Sequence, residues 1–482
     1  MIEPKAPKEL RFVPRIINPV KLRRAVVFAA DAGLRQAAQR LDEAMPWLRT
    51  EIHYDPASLL RTPPAEPSVY LFYDTGLAVA DARRLRERSP DTVVVLLSFQ
   101  PFIQSSPPAA ARLRYPYTEK ADLVFAVSRD EFAPPKILPA AVQAAEDRLN
   151  IGRRSDVRRF IFHIVDDEPR WFSQFLPVLY GIIGQRAAVM ITRTFEDSLE
   201  FLFGVRAEER IDARRYLLRG HGDDVVCLIA DIFFPTDDDP QAKAGLDLIR
   251  LVSRFYPRIP VIIASKAKEA RGLGDLGFVL PKGDPGSLQK LQEGLLNLTG
   301  LGDFLLYDNA GKEIHRAKDI LGICGILREA EEDSPRGQRL RSILESYGDK
   351  DRFSTWLYMH SYRELGDRLR PRKGSGRQLV TMLKRNLRAE IARARRMPLD
   401  IAGRKVFDLA DLLAALRTLN AEAIQPYSDN DIISSWLDRK GYPELAEELR
   451  PIHGSGAGLR QTLAEAVGRW IDIYRARGLS PS

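Results

Sequence analysis

Four short stretches carry residue types that can do chemistry together. They are Asp166-Asp167-Glu168 after FIFHIV, Asp231 after VVCLIA, Ser265 closing PVIIAS, and Lys282 closing GFVLPK. Each group follows a short apolar run that reads as a buried strand. Carboxylates brought together repel one another, and a divalent cation relieves that repulsion. Mg2+ takes a few carboxylate oxygens and keeps positions for water or phosphate. A carboxylate can also act as a nucleophile and form an aspartyl phosphate. A lysine neutralises charge on the transferring group, and a hydroxyl can hydrogen-bond a phosphate oxygen. The set points to phosphoryl transfer, provided that the four strand ends meet.

The elements around them supply a reason to meet. Within residues 158–300, FIFHIVDD, AAVMITRT, VVCLIAD, PVIIAS and GFVLPK read as strands. Between them PRWFSQFLPVLYGIIGQ, GLDLIRLVSRFY and GSLQKLQEGLLNL have helical patterns, and SLEFLFGVRAEERIDARRYLLR reads as a long helical or inserted region. This alternation predicts an α/β, flavodoxin-like fold with a five-stranded parallel sheet. The strands' carboxyl ends then share one edge, where widely separated residues converge.

With those motifs in order, residues 158–300 resemble the receiver domain of two-component response regulators. The resemblance rests on IVDDEP, LIADIFFP, PVIIAS and LPKG. It implies that Asp166 and Asp167 hold Mg2+ together with Asp231 and the main-chain carbonyl of Phe233. It implies that Asp231 accepts a phosphoryl group from a sensor histidine kinase or phosphotransfer protein, with Ser265 and Lys282 contacting the phosphate. The chain departs from that pattern in places. Gly283 stands where receivers carry Pro, and Val279, next to Phe278, stands where an aromatic is expected. Residues are inserted between the acidic pair and Asp231. The Ser265–Lys282 interval is short enough to reduce the fourth helix to a turn, and an Asp run, 237–239, follows Asp231.

Residues 22–150 read as a second α/β domain of the same kind, so that two receiver-like sheets stand in tandem. RAVVFAAD, SVYLFYD, TVVVLLSF and DLVFAVS are its strands, AGLRQAAQRLDEAM and VADARRLRERS its helices, and SSPPAAARLRYPY a Pro-rich loop. Its strand ends offer Asp31, Asp74, Ser98 and Ser128. An acidic pair is missing, and Ser128 stands where a lysine is needed, so this domain reads as a degenerate receiver used for packing or dimerisation. Residues 1–21 form a basic, Pro-rich tail without the apolar core of a secretory signal.

Beyond residue 300 the pattern is mainly helical and duplicated. DRFSTWLYMHSYRELGDRLRPRKGSGRQL (351–379) matches DIISSWLDRKGYPELAEELRPIHGSGAGL (431–459) without a gap, pairing Trp356 with Trp436, Glu364 with Glu444 and Arg370 with Arg450. A weaker match, GKEIHRAKDIL against GRKVFDLADLL, extends the repeats to 303–397 and 398–478. The hairpin signal DFLLYDNAGKEI turns about Asn309–Gly311. The repeat is similar to a short module that follows receivers in some large bacterial signalling proteins, which implies an output through an effector protein. The two tryptophans read as core fillers, with a stacking platform as the alternative. Glu364, Glu444, Arg370 and Arg450 read as ion-pairing or capping groups.

Composition sets the outer bounds. The chain has 482 residues and a formal net charge of +8. Residues 351–400 alone hold 13 Lys/Arg against 5 Asp/Glu. The stretch LKRNLRAEIARARR (383–396) reads as an amphipathic helix with a solvated basic face, and a nucleic-acid or acidic partner is its alternative. No apolar run is long enough to span a membrane. Cys227 and Cys324 stand alone in apolar runs, without metal-ligand spacing, which fits a reduced cytoplasmic compartment. His163 reads as a core histidine, and His221, His315 and His360 as non-catalytic. The expected function is a phosphorylation-responsive bacterial regulator, with a homo-oligomer left open. A phosphorylation-independent scaffold and a nucleic-acid-binding regulator acting through 351–396 are its rivals.

Overall fold

The computed structural model describes residues 20–28, 32–45, 47–53, 66–74, 91–127, 134–152, 160–184, 187–205, 220–236, 243–266, 272–274, 276–308, 312–360, 362–370 and 373–477. The chain divides into two units, Met1–Gly294 and Leu295–Ser482.

The first unit holds two five-stranded parallel sheets. In the first, β1 (Arg24–Phe28), β2 (Arg49–His53), β3 (Ser68–Tyr73), β4 (Thr92–Ser98) and β5 (Leu123–Ala126) lie in the order β2-β1-β3-β4-β5. In the second, β6 (Ile161–Val165), β7 (Ala188–Thr192), β8 (Val225–Ala230), β9 (Val261–Ser265) and β10 (Phe278–Pro281) lie in the order β10-β9-β8-β6-β7. Each sheet thus runs 2-1-3-4-5 by its own numbering, the flavodoxin-like winding. Helices cover both faces, so the central strands read as unbroken apolar runs; every residue of β4 and β8 is buried.

Among the described residues the α-helices of this unit are α1 (Ala32–Gln39), α2 (Leu41–Ala44), α3 (Pro101–Gln104), α4 (Pro108–Arg114), α5 (Pro134–Gly152), α6 (Pro169–Ile183), α7 (Phe195–Phe203), α8 (Ala244–Phe255) and α9 (Ser287–Leu298), the last of which runs on past Gly294. Two of these elements correct the sequence reading. The Pro-rich stretch 105–117 is not simply a loop: Pro108 opens α4, where the missing N–H is no loss because a first-turn donor has no intrahelical partner. The strand β2, RTEIH, was not expected at all. It is an edge strand with an exposed Arg49 and a half-buried Glu51, and it pairs with β1 in register from Arg24↔Arg49 to Phe28↔His53. An ion pair between Arg24 and Glu51, 2.6 Å, ties the two strands and holds the Glu51 carboxyl below its ordinary range.

The long region after β7 forms α7 and then passes outside the described residues at 206–219. The interval expected to hold a reduced fourth helix lies partly outside the described residues, at 267–271 and 275. Asp31, Ser128, the Asp run 237–239 and the segment VADARRLRERS lie outside the described residues.

The two sheet domains of the first unit are packed together. Helix α6 carries Phe172 against Phe125 of β5, ring centroids 6.2 Å apart. The Ser173 hydroxyl accepts from the Ala126 N–H at 2.9 Å. Asp147 of α5 accepts from the Tyr180 hydroxyl and from the Val189 N–H, both at 2.8 Å. Helix α6 is therefore buried on its own sheet and against the first domain, which accounts for its run of large apolar residues.

The second unit shows the duplication directly. The first copy is an antiparallel hairpin, β11 (Phe304–Tyr307) and β12 (Glu313–Ala317), then α10 (Ile320–Glu331), α11 (Pro335–Asp349), α12 (Arg352–Met359), α13 (Arg363–Leu369) and α14 (Gly376–Arg396). The second copy repeats that order as β13 (Leu399–Ile401), β14 (Arg404–Val406), α15 (Leu409–Thr418), α16 (Ala421–Asp429), α17 (Ile432–Lys440), α18 (Pro443–Leu449) and α19 (Gly456–Ala476). Its hairpin turns on Ala402 and Gly403, both at positive φ (51° and 84°), the geometry that matches strand twist in a two-residue loop.

Trp356 and Trp436 are both buried, and each indole N–H donates to a main-chain oxygen two residues before its hairpin, to Gly302 at 3.0 Å and to Met397 at 3.2 Å. They pin the hairpin to the helices, in keeping with a core-filling role. Arg370 pairs with Asp351, while Arg450 is buried beside Glu447. Helix α14 is amphipathic as expected, and several of its cations are spent internally: Lys384 on Glu331, Arg377 on Asp333, Arg393 on Glu364 and Glu390. Arg385, Arg388 and Arg396 remain exposed. No helix among the described residues is long and apolar enough to cross a membrane.

Candidate functional site

The site is built by register. In the second sheet Val165 pairs with Ala230, and Ala230 with Ile263. The next residues, Asp166 and Asp231, therefore leave the sheet side by side, and the Asp231 N–H still donates to the Val165 oxygen at 2.9 Å. Pro281 pairs with Ser265, and the Lys282 N–H donates to the Ser265 oxygen at 2.8 Å. Widely separated stretches are thus delivered to one edge by main-chain pairing alone.

At that edge, ligand oxygens of Asp166, Asp167 and Asp231 all lie within 4.8 Å of one another. The Lys282 ammonium sits between two of them, 2.5 Å from Asp166 Oδ2 and 2.6 Å from Asp231 Oδ2. Asp166 is further held by the Glu168 N–H at 3.1 Å, and Asp231 Oδ1 by the Ile232 N–H at 2.7 Å. The side chains of Asp166 and Lys282 are 2% and 1% exposed, whereas that of Asp231 keeps 13%. Asp231 is the more accessible of the two acids that the lysine bridges.

The electrostatics follow from that packing. Burial pushes the Asp166 carboxyl up to about 7; Lys282 opposes this, and Asp231 and Asp167 add to it. Burial likewise pushes Asp167 up to about 6, with Asp231 and Glu168 adding repulsion. Burial acts to lower Lys282, but Asp166 and Asp231 outweigh it, so its pKa is raised and it stays charged. Three carboxylates facing one lysine are under-neutralised. An all-oxygen, acid-rich cluster of this size has the donor chemistry of a Mg2+ site, because a hard divalent cation supplies the missing positive charge. Ser265 is fully buried at the end of β9. Phe233 is half-buried two residues past Asp231, with the Lys243 ammonium 5.6 Å from its ring centre.

Two glycines serve the site. A Cβ on Gly245, at the start of α8, would stand 2.0 Å from the Asp231 oxygen and 2.8 Å from Ile232 Cα, so the loop after Asp231 closes over a position where no side chain fits. Gly283 has φ +78°, a value closed to the Pro expected there, and faces Trp171. The Trp171 ring lies 5.6 Å from Lys282 Nζ and donates its N–H to Glu168 at 2.8 Å. Phe278 packs against Gly294, so the aromatic next to Val279 rests on α9.

Sequence reasoning missed Trp171 and Arg193. Arg193 follows β7 and donates to the Asp167 main-chain oxygen from Nε (3.2 Å) and Nη2 (2.5 Å). Burial brings its pKa down to about 10 against the pull of Asp167 and Asp166. A cation after a strand that neighbours the acidic pair was the available signal.

The histidines singled out in the sequence have partners of their own. His163 is fully buried, with Nε2 2.8 Å from the Thr192 hydroxyl, which meets the Ser198 hydroxyl at 2.8 Å. His221 lies against Asp224 and stacks on Phe201. His315 pairs with Glu329 at 3.2 Å, and His360 stacks on Trp356.

At the first domain's corresponding edge, Asp74 is bonded to the end of β4. The Ser98 hydroxyl donates to Asp74 Oδ1 at 2.7 Å, and the Phe99 N–H donates to Oδ2 at 2.5 Å. Asp74 is thereby tied to the neighbouring strand end, and a cluster of acids like that of the second domain is not found among the described residues.

No family model matches the chain, and no curated protein matches it. Three solved structures are similar to it in part. A probable two-component system response regulator/GGDEF domain protein is 16% identical, covering 56% of this chain and 95% of its own, with TM-score 0.25. NtrX from Brucella abortus in complex with ATP is 11% identical, covering 93% and 99%, with TM-score 0.19. The C-terminal domain of glucosamine-fructose-6-phosphate aminotransferase from Francisella tularensis is 8% identical, covering 57% and 81%, with TM-score 0.17. At such TM-scores these likenesses carry no argument about function, and the functional reading rests on the pocket.

Proposed function

We propose that the chain is a response regulator of a two-component or phosphorelay system, with the receiver domain at 158–300 accepting a phosphoryl group on Asp231. The observation that carries this reading is the Lys282 ammonium lodged between Asp166 and Asp231 inside a three-carboxylate cluster. An ordinary core does not assemble such a cluster, because buried like charges are costly. A phosphoryl-transfer pocket needs it, to hold a cation and a nucleophile together.

Asp166, Asp167, Asp231 and the Phe233 carbonyl would hold Mg2+, which when bound offsets charge on the phosphoryl oxygens. An Asp231 carboxylate oxygen attacks phosphorus. The phosphorus bond to the donor's imidazole nitrogen breaks, and the electron pair leaves with that nitrogen, which takes a proton. Lys282 exchanges its contact with Asp231 for a phosphoryl oxygen, and the Ser265 hydroxyl donates to another. Moving these two groups biases the loops after β9 and β10, which is the switch. The donor is a histidine kinase or phosphotransfer protein, the first domain is a degenerate receiver, and the duplicated module carries output to an effector protein in the cytoplasm.

Incubation of the full chain with acetyl phosphate and Mg2+ tests this. The expected result is a mass gain of one phosphoryl group, abolished in Asp231→Asn and by chelation. An unchanged mass with no beryllium fluoride binding, or labelling that persists in Asp231→Asn, overturns it.

A further inference from the structure

Arg193 does more than touch the acidic loop. Its Nη2 donates both to the Asp167 oxygen and to the main-chain oxygen of Ser106, the latter at 3.2 Å. Ser106 lies 87 residues earlier, in the turn between α3 and α4 of the first domain. One planar guanidinium therefore joins the main chain that carries the acidic pair to the main chain of the neighbouring domain. A guanidinium is suited to this, since its rigid fork holds several acceptors in fixed directions. Placing it there has an electrostatic logic too: Asp167 and Asp166 favour its charge against the penalty of burial. In the same domain the Ser98 hydroxyl donates to Asp74 Oδ1 at the end of β4.

We propose that Arg193 is a positioning residue that ties the Asp167 loop to the Ser106 turn, so that a change in the acidic pocket is passed to the first domain. The clamp itself stands on the three hydrogen bonds. Its role as a signal path rests on the phosphoacceptor reading of Asp231. The first domain is then a reader of the pocket's state, held in place by contacts that do not involve Arg193: Ser173 with Ala126, and Asp147 with Tyr180 and Val189. Because those contacts remain, an Arg193 variant keeps the two domains docked while losing the link.

Amide hydrogen exchange of the full chain, wild type against Arg193→Gln and the charge-preserving Arg193→Lys, tests both parts. Without ligand, Arg193→Gln is expected to speed exchange at least about fivefold in peptides covering 166–168 and 100–106 alike, with Arg193→Lys in between. Faster exchange at one segment alone, or at neither, overturns the clamp. With Mg2+ and beryllium fluoride, wild type is expected to change exchange in both segments, and Arg193→Gln at 166–168 only. An equal response at 100–106 in the variant overturns the signal path. A wild type that shows no response anywhere defeats the phosphoacceptor reading, while the ligand-free comparison still decides the clamp.

Discussion

Lys282→Met isolates the electrostatic core of the pocket. The substitution nearly keeps the side chain's bulk and removes one positive charge from between two carboxylates, at a position where the lysine side chain is 1% exposed and that of Asp166 2%. Removing one partner of a buried ion pair costs about 3–5 kcal/mol, because the other charge stays behind without compensation. Here the loss depends on pH. Asp166 and Asp167 already have folded pKa values raised to about 7 and about 6 from an ordinary 3.8, by burial first and then by neighbouring charge. A raised folded pKa contributes stability that is full below the unfolded value and is lost as pH rises through the folded one. Lys282 limits the rise at Asp166, so without it the loss extends further. The variant should therefore be about 3–5 kcal/mol less stable at pH 8.5, a fall of roughly 10 °C in the transition of this domain, and only about 1 kcal/mol less stable at pH 5, where the acids take up protons. Mg2+ at about 100 times its dissociation constant should return about 2.7 kcal/mol at pH 8.5. Scanning calorimetry of the full chain at both pH values, with and without Mg2+, measures each term. An equal loss at pH 5 and 8.5, with no gain from Mg2+, would show that Lys282 acts as packing and would refute the charge argument.

Three other outcomes follow from particular contacts. Gly245→Ala should displace the Asp231 loop, since its Cβ would stand 2.0 Å from the Asp231 oxygen; acetyl phosphate labelling should fall at least about tenfold, with a stability loss of about 1–3 kcal/mol, and unchanged labelling would contradict the close approach. His163 is held down at about 3, by burial first and His221 second, so its contribution to stability is full above about 6.5 and fades as pH falls toward 3; His163→Asn should flatten the decline in melting midpoint below pH 6.5 by about 2–3 kcal/mol at pH 4.5, read from paired melts. Trp356→Phe removes the indole N–H that meets Gly302 and should cost about 2–3 kcal/mol in the second unit, as Trp436→Phe should through Met397; no change in either melt would argue for the stacking role instead.

Much of the fold and the candidate site is legible in the residues themselves. Each strand of the second sheet is an apolar run of strand length, and each chemical group sits where its run stops. Once a parallel sheet is inferred, convergence of Asp166, Asp231, Ser265 and Lys282 on one edge follows from topology. The duplication is legible because Trp, Leu and Gly recur at fixed spacing. The edge strand RTEIH was not legible, since its two faces are half-buried and its residues have no apolar pattern. The helix Pro108–Arg114 was hidden by prolines that act as a helix start.

The sequence by itself determined the apolar strands of the second sheet, the identities of the strand-end groups and the repeat. These are local properties, written in hydrophobic period and residue type. Tertiary structure decided the rest: that Lys282 bridges two acids, that Gly245 makes room for the Asp231 carbonyl, that Ser98 closes over Asp74, and that Arg193 joins Asp167 to Ser106. Each of these depends on a distance between segments far apart in the chain. Such distances come from how whole elements pack, and no local preference encodes them.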